Sequence, residues 1–324
     1  MELDRFTQPR GFSGAEVLAA WREQGVSERL LSFVEEWRGL FSTADAGAAP
    51  FGGPTVRREA PLAHFVYEGK EAVEAALAAM LSGEHLLLSG PKATGKNVLA
   101  EDLAAVFGRP DFNVSFHIQT DAEALLGADT LSKGAVVFRP GPVVEAAEAG
   151  GFLVLDEINM ARNEALAVLH SLLDDRRMVD VPGHGRVRLA PAARVIATMN
   201  PGYAGTRELN EALASRFVVL HLTVLSERGV ERVLSKACPG LEISMRERLA
   251  RLFSALVEKA AQGEISSRAV DLRGLLAAVR LMELGIAPWR AVGMGLVGKC
   301  VEVEEREVVE DVVRMFFEEE RTGL

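Results

Sequence analysis

His85-Leu-Leu-Leu-Ser-Gly-Pro-Lys-Ala-Thr-Gly-Lys-Asn97 is an apolar run that ends in a glycine loop and a lysine. Leu99, Leu103 and Val106 follow at helical spacing. Strand, glycine loop, lysine and helix, in that order, are the context that a phosphate-binding loop requires. Gly90 and Gly95 let the backbone curl so that several N–H groups point inward, and the helix N-terminus adds its positive dipole end. Lys96 is placed to bridge the β- and γ-phosphates of a nucleoside triphosphate. Pro91, Lys92, Ala93, Thr94 and Val98 complete the candidate nucleotide-binding stretch. Asn97 stands where the usual pattern has Ser or Thr as a ligand to Mg2+, and Ala93 stands where a glycine is often found. An amide oxygen can also ligate Mg2+, on a longer side chain. Taken alone, the stretch could also be a glycine turn capping a core helix.

Further along, Phe152-Leu-Val-Leu-Asp156-Glu157 is an apolar strand ending in two carboxylates. Such a strand delivers them to the edge where open α/β sheets bind ligands. Asp156 joins Asn97 as a metal candidate, holding Mg2+ through its water shell. Glu157 is the candidate base that orients and deprotonates an attacking water. Val195-Ile-Ala-Thr-Met-Asn200-Pro201 is another apolar strand, ending in an amide that could hold that water or a phosphate oxygen. Asn200 could equally make a turn before the proline. In Leu209-Asn-Glu-Ala-Leu-Ala-Ser-Arg216-Phe217 the arginine falls at a helix end just before a further apolar run. It could cap its own helix or reach a neighbouring subunit's phosphate as an arginine finger.

GPKATGKN, FLVLDEINMA, ATMNPGYAGTRELNEALASRF and the later ISSRAVDLR together resemble the AAA+ ATPases of the dynein-related and MoxR-like group. The resemblance runs from about His64 to Val279 and leaves the first sixty or so residues uncovered. It implies that the first two motifs are Walker A and Walker B, that Asn200 is sensor 1 and that Arg216 is the arginine finger. Arg268 matches the sensor 2 arginine, with Arg273 on the same expected helix as a competitor. The implied fold is a P-loop αβα sandwich, a five-stranded parallel sheet of order 5-1-4-3-2, with a helical lid domain. Hairpin inserts of the kind that line a pore in this group match Asp121–Pro142 and Met178–Leu189. The implied activity is ATP hydrolysis with Mg2+ in a homo-oligomeric ring, most often a hexamer, acting as a chaperone that remodels a client protein. In the MoxR-like group that client is often a von Willebrand factor A-domain protein. Two other classes stay open: the nucleotide-dependent motor of a DNA restriction-type system, and a nucleotide-gated scaffold with slow hydrolysis, which Asn97 would suit.

The rest of the chain frames these motifs. Its 324 residues suit about two domains, and 48% apolar residues are enough for a real core. The net charge of −10 argues against a broad basic surface for nucleic acid. Cys238 and Cys300 lack metal-ligand spacing and suit a reducing, cytoplasmic setting. No apolar run is long enough to span a membrane, and the charged opening MELDRFTQPRGF is not a signal peptide. We expect an N-terminal helical segment and linker over 1–62, a nucleotide-binding core over 63–225 and a helical lid over 226–324. In the first, Leu30, Phe33, Val34 and Trp37 repeat at helical spacing, and an Ala/Gly/Pro-rich stretch, Ser42–Pro61, follows. The expected strands are His85–Ser89, Asn113–Ile118, Phe152–Leu155, Arg194–Thr198 and Phe217–Leu222. The lid is expected to hold one helical face from Leu249, Leu252, Phe253 and Leu256, and another from Leu272, Leu275, Leu276 and Val279. A last helix is expected to bury Val308, Val309, Val312, Val313 and Phe316 beneath a solvated acidic face.

Overall fold

The computed structural model describes residues 11–41, 59–132, 134–202 and 205–321. The charged opening and most of the Ser42–Pro61 stretch lie outside the described residues, as do Tyr203 and Ala204, just after Asn200. Two compact units emerge, one of Met1–Gly90 with Lys96–Leu222, the other of Pro91–Gly95 with Thr223–Leu324.

In the first unit, helices α1 (Gly14–Glu23), α2 (Glu28–Leu40) and α3 (Lys70–Leu81) precede strand β1 (Leu86–Ser89) and helix α4 (Lys96–Phe107). Strand β2 (Asp111–Ser115), helix α5 (Ala122–Leu126) and the strands β3 (Gly127–Ser132) and β4 (Ala135–Pro140) follow. After helix α6 (Pro142–Ala149) come β5 (Phe152–Asp156), β6 (Met178–Val181), β7 (Gly185–Arg188), β8 (Arg194–Met199), helix α7 (Glu211–Ala214) and β9 (Val218–His221). Five strands form one parallel sheet in the order β2-β5-β8-β1-β9. Counted along the chain, this is the expected order 5-1-4-3-2.

The sheet is covered on both faces, which is why its strands read as continuous apolar runs rather than alternating ones. Leu86, Leu88, Phe152, Val154 and Ile196 face one core with α1 to α4, while Leu87, Leu153, Leu155, Val195 and Ala197 face the other. Strand β2 spans Asp111–Ser115, not Asn113–Ile118. Its register against Phe152–Asp156 ends at Ser115, and a turn follows in which His117 N–H donates to Thr120 Oγ1 at 3.0 Å. The apolar face of α2 is also rotated from the expected one. Leu31, Val34 and Trp37 are buried, whereas Phe33 is 39% exposed beneath the Arg29 guanidinium.

Both expected hairpins form. Strands β3 and β4 pair antiparallel, as do β6 and β7 around the turn Pro182–His184. His184 at that turn lies 2.9 Å from Asp129 Oδ1, and its ring stacks on Phe138 with centroids 4.1 Å apart. Leu131 and Val136 of the first hairpin are 77% and 72% exposed.

The second unit carries helices α8 (Glu227–Ala237), α9 (Ile243–Ala261), α10 (Leu272–Glu283), α11 (Pro288–Gly295) and α12 (Val303–Arg321), and no strand among its described residues. Leu249, Leu252, Phe253 and Leu256 are buried on α9, and Leu275, Leu276 and Val279 on α10. Helices α10 and α11 meet at glycines, since a Cβ on Gly274 would lie 2.2 Å from Gly295 O. On α12 the buried aromatic is Phe317, not Phe316. The backbone leaves helical geometry at Phe317 (φ −132°), which turns that ring inward.

Candidate functional site

The loop after β1 continues the sheet for one more bond, Gly90 N–H to Met199 O at 3.3 Å. It then turns back, with Thr94 Oγ1 donating to Pro91 O at 3.0 Å. Gly95 has φ 78° and Ala93 has φ 63°. Glycine takes this left-handed region freely, whereas a Cβ costs about 1–2 kcal/mol there. The departure from glycine at Ala93 is therefore a strained position. Lys96 opens α4, and its buried ammonium donates to Gly90 O at 2.8 Å, which holds the side chain back over its own loop. The first turn of α4 is the positive end of the helix dipole, and backbone N–H groups at such an end are suited to an anion.

Strand β5 brings Asp156 to the same end of the sheet, and both of its oxygens accept hydrogen bonds. Thr198 Oγ1 donates to Oδ1 at 2.5 Å and Asn97 Nδ2 donates to Oδ2 at 3.1 Å. Glu157 leaves the strand in the left-handed region (φ 54°, ψ 44°). Its N–H donates to Thr198 Oγ1 at 3.1 Å, and its carboxylate accepts from Asn200 Nδ2 at 3.3 Å. A non-glycine residue at such a φ is held by its surroundings, and here Thr198 supplies the hold.

Asn200 is 8% exposed, and its Oδ1 has no partner among the described residues. A buried amide oxygen without a donor is a group awaiting one. Its backbone carbonyl accepts from Asn159 Nδ2 at 3.0 Å, and Asn159 O in turn accepts from Arg207 N–H at 2.9 Å. Asn97, Asp156, Glu157 and Asn200 are thus brought together. Thr198 and Asn159 are the residues that the sequence reading missed. Thr198 carried a signal: a hydroxyl two residues before Asn200, on the same face of an otherwise apolar strand.

Of the two candidate arginines, Arg216 lies at the expected helix end and Arg268 does not lie on the expected helix. Arg216 follows α7, is half-buried, and donates through Nη1 to Ala212 O, the cap contact of the simpler reading, while its Nε has no partner among the described residues. Arg268 does not share a helix with Arg273. It is exposed in a turn, because Asp271 accepts from Arg273 N–H at 3.0 Å and starts α10 only afterwards.

Among the described residues no three His, Cys, Asp or Glu side chains cluster as a metal cage. The donor set at this site is one carboxylate, Asp156, beside the Asn97 amide. That fits Mg2+, which binds through one or two carboxylates plus substrate phosphates and keeps several waters.

Residues 85–217 match the family model of the AAA domain, dynein-related subfamily. The chain belongs to the dynein-related AAA family. It is 36% identical over 248 residues to the uncharacterized protein YojN of Bacillus subtilis, covering 75% of this chain and 81% of YojN. It is 34% identical over 240 residues to an uncharacterized protein of Staphylococcus aureus strain COL, covering 72% of this chain and 91% of that one. A RuvB mutant from Thermotoga maritima is a more distant likeness, at 18% identity and a TM-score of 0.44 over 77% of this chain and 69% of that one. The AAA assignment carries nucleotide binding with it, and the matched span holds the glycine loop, both carboxylates, Asn200 and Arg216. No described helix of this AAA protein is long and apolar enough to cross a membrane.

Proposed function

We propose that this AAA protein hydrolyses ATP in a homo-oligomeric ring, hexameric as in the MoxR-like group, and uses the cycle to remodel a client protein. The observation that carries the reading is the shared network at the sheet edge. Thr198 fixes Asp156 and Glu157 together, while Asn200 holds the Glu157 carboxylate. Lys96 and the first-turn amides of α4 would bind the triphosphate. Bound Mg2+, held by Asp156 and Asn97, would neutralise part of its charge. Glu157 would take the proton of a water that Asn200 positions, and Arg216 of one subunit would complete the site of the next. A trans arginine of this kind supplies about 10³–10⁵ in rate. Arg268 of the helical unit would sense the γ-phosphate. The exposed apolar β3–β4 hairpin is the surface offered to the client, for which a von Willebrand factor A-domain protein is the candidate, and the acidic charge disfavours nucleic acid.

Glu157→Gln keeps the shape and loses the base, so ATP should bind with wild-type affinity and stay unhydrolysed in a phosphate-release assay. An unchanged turnover rate removes Glu157 from the role of base. One observation favours a second reading. Asp156 already accepts two donors, one of them Asn97, which suits a scaffold that binds ATP and turns it over slowly. Phosphate release from the wild type, measured over minutes, separates the two.

A further inference from the structure

Residues 11–41 carry no chemical motif and lie outside the AAA match, yet they grip the helix that begins at Lys96. Gly14 opens α1 directly against α4, where a Cβ would lie 2.1 Å from Ala105 O and 3.2 Å from Val106 Cα. The two backbones touch, and only glycine allows it. At the end of α4 the Trp37 ring stands edge-on to Phe107, with centroids 4.9 Å apart and planes at 84°. Val17, Leu18 and Trp21 join the same buried cluster as Leu99, Leu103 and Val106.

Two polar connections run beside this packing. Gln24 Nε2 donates to Tyr67 O at 2.9 Å, and its Oε1 accepts from Gly69 N–H at 3.2 Å. Tyr67 N–H then donates at 2.7 Å to Asp102, a wholly buried carboxylate on α4. The second connection is Arg109, whose guanidinium donates to Phe41 O at 3.0 Å, Gly150 O at 2.7 Å and Ala149 O at 2.8 Å. It ties the end of the N-terminal pair to the residues just before β5, the strand that delivers Asp156.

We propose that residues 11–41 are a positioning element for the nucleotide site, coupled to nucleotide occupancy through α4. The inference rests on the reading of Gly90–Val98 as the phosphate loop. Lys96 stands at one end of α4, while Ala105 and Phe107, the residues that α1 and α2 grip, stand at the other. A helix in a packed core moves as a rigid body, so a shift at the gripped end displaces the lysine. Binding groups must be held within about 0.5 Å to work, so a small shift is enough. Coupling is reciprocal: whatever loosens α1 and α2 weakens nucleotide binding, and bound nucleotide tightens α1 and α2.

The test uses the full chain with ADP and magnesium. Amide hydrogen exchange within Gly14–Glu23 and Glu28–Leu40 should slow by about fivefold or more at saturating ADP, the lower end of typical coupling. Gln24→Ala removes one polar connection at a half-buried position, and Gly14→Ala wedges the helix pair apart. Calorimetry at temperatures where each variant is folded should give an ADP Kd raised by about fivefold or more. A purely structural role lowers the melting temperature and leaves the Kd of the folded protein alone. ADP binding with unchanged exchange in α1 and α2, and with wild-type affinity in Gln24→Ala, overturns the inference. Failure of the wild type to bind ADP overturns the phosphate-loop reading itself, and this inference with it.

Discussion

Ala93 and Asn97 are the two residues at which this phosphate loop departs from the common pattern, and the structure gives each a physical account. Ala93 is held at φ 63°, where its methyl group is a liability of about 1–2 kcal/mol. Ala93→Gly relieves that strain against a chain-entropy cost of about 0.5–1 kcal/mol. The variant should therefore be more stable by roughly 0.5–1 kcal/mol, read as a raised denaturant midpoint. A lowered midpoint would show that the loop relaxes without strain. Asn97 uses its amide nitrogen on Asp156, which leaves its oxygen for a cation. Asn97→Ala loses donor and oxygen together and should weaken the magnesium dependence of hydrolysis. Asn97→Thr restores a hydroxyl that can serve both ends and should keep or raise activity. If both variants follow the wild-type magnesium titration, water fills the place of Asn97.

The elements that carry these residues were mostly legible, and the misreadings share a cause. Strands β1, β5 and β8 declared themselves as unbroken apolar runs because both faces are buried. Where neighbours decide, the pattern was ambiguous. Leu30, Leu31, Phe33 and Val34 allow two helical phases, and packing chose Leu31 over Phe33. The end of β2 was set by its pairing with β5, and the start of α10 by the Asp271 cap, neither of which composition reveals. In the site the carboxylates, Lys96 and Asn200 were readable as polar residues at the ends of apolar runs. Thr198 was hidden inside such a run, although its hydroxyl links Asp156 to Glu157. One element-level feature was invisible in one dimension. At the opposite end of the sheet from the loop, His85 sits against the start of β8 and accepts from Val195 N–H through Nδ1 at 3.1 Å. Burial, and then the nearby charges of Arg177 and Arg194, push its pKa from an ordinary 6.5 down to about 3. The unfolded chain takes up a proton at this histidine below about pH 6.5, and the folded chain does so only near pH 3. Stability from the neutral ring is therefore full above pH 6.5 and drains away as the pH falls through that window. Melting temperatures of wild type and His85→Gln should converge on acidification, the wild type losing more. Parallel pH profiles would place the acid sensitivity elsewhere.

The whole molecule works as proposed only if copies of it complete one another's sites. Arg216→Ala should bind ATP nearly normally and hydrolyse it poorly, while Lys96→Ala should lose at least tenfold in affinity, about 1.4 kcal/mol. Mixed together, the two variants should recover part of the activity, since some interfaces then pair an intact Lys96 with an intact Arg216. Light scattering with ATP should report an assembly well above the 35.0 kDa chain. A monomer that hydrolyses ATP briskly would defeat both the ring and the finger. The strand order has a further consequence, for how the chain is made. Leu86 pairs with Ile196 on one side and Val218 on the other, so the middle of the sheet finds its neighbours only late in synthesis. As the chain leaves the ribosome, β2 and β5 can join early, but Leu86-Leu87-Leu88 must wait for segments more than a hundred residues downstream. Closing so long a loop is slow, and a bare apolar strand is prone to aggregate meanwhile. A protein proposed to remodel others thus passes, at its own birth, through a stage in which its central strand lies open to the wrong partners.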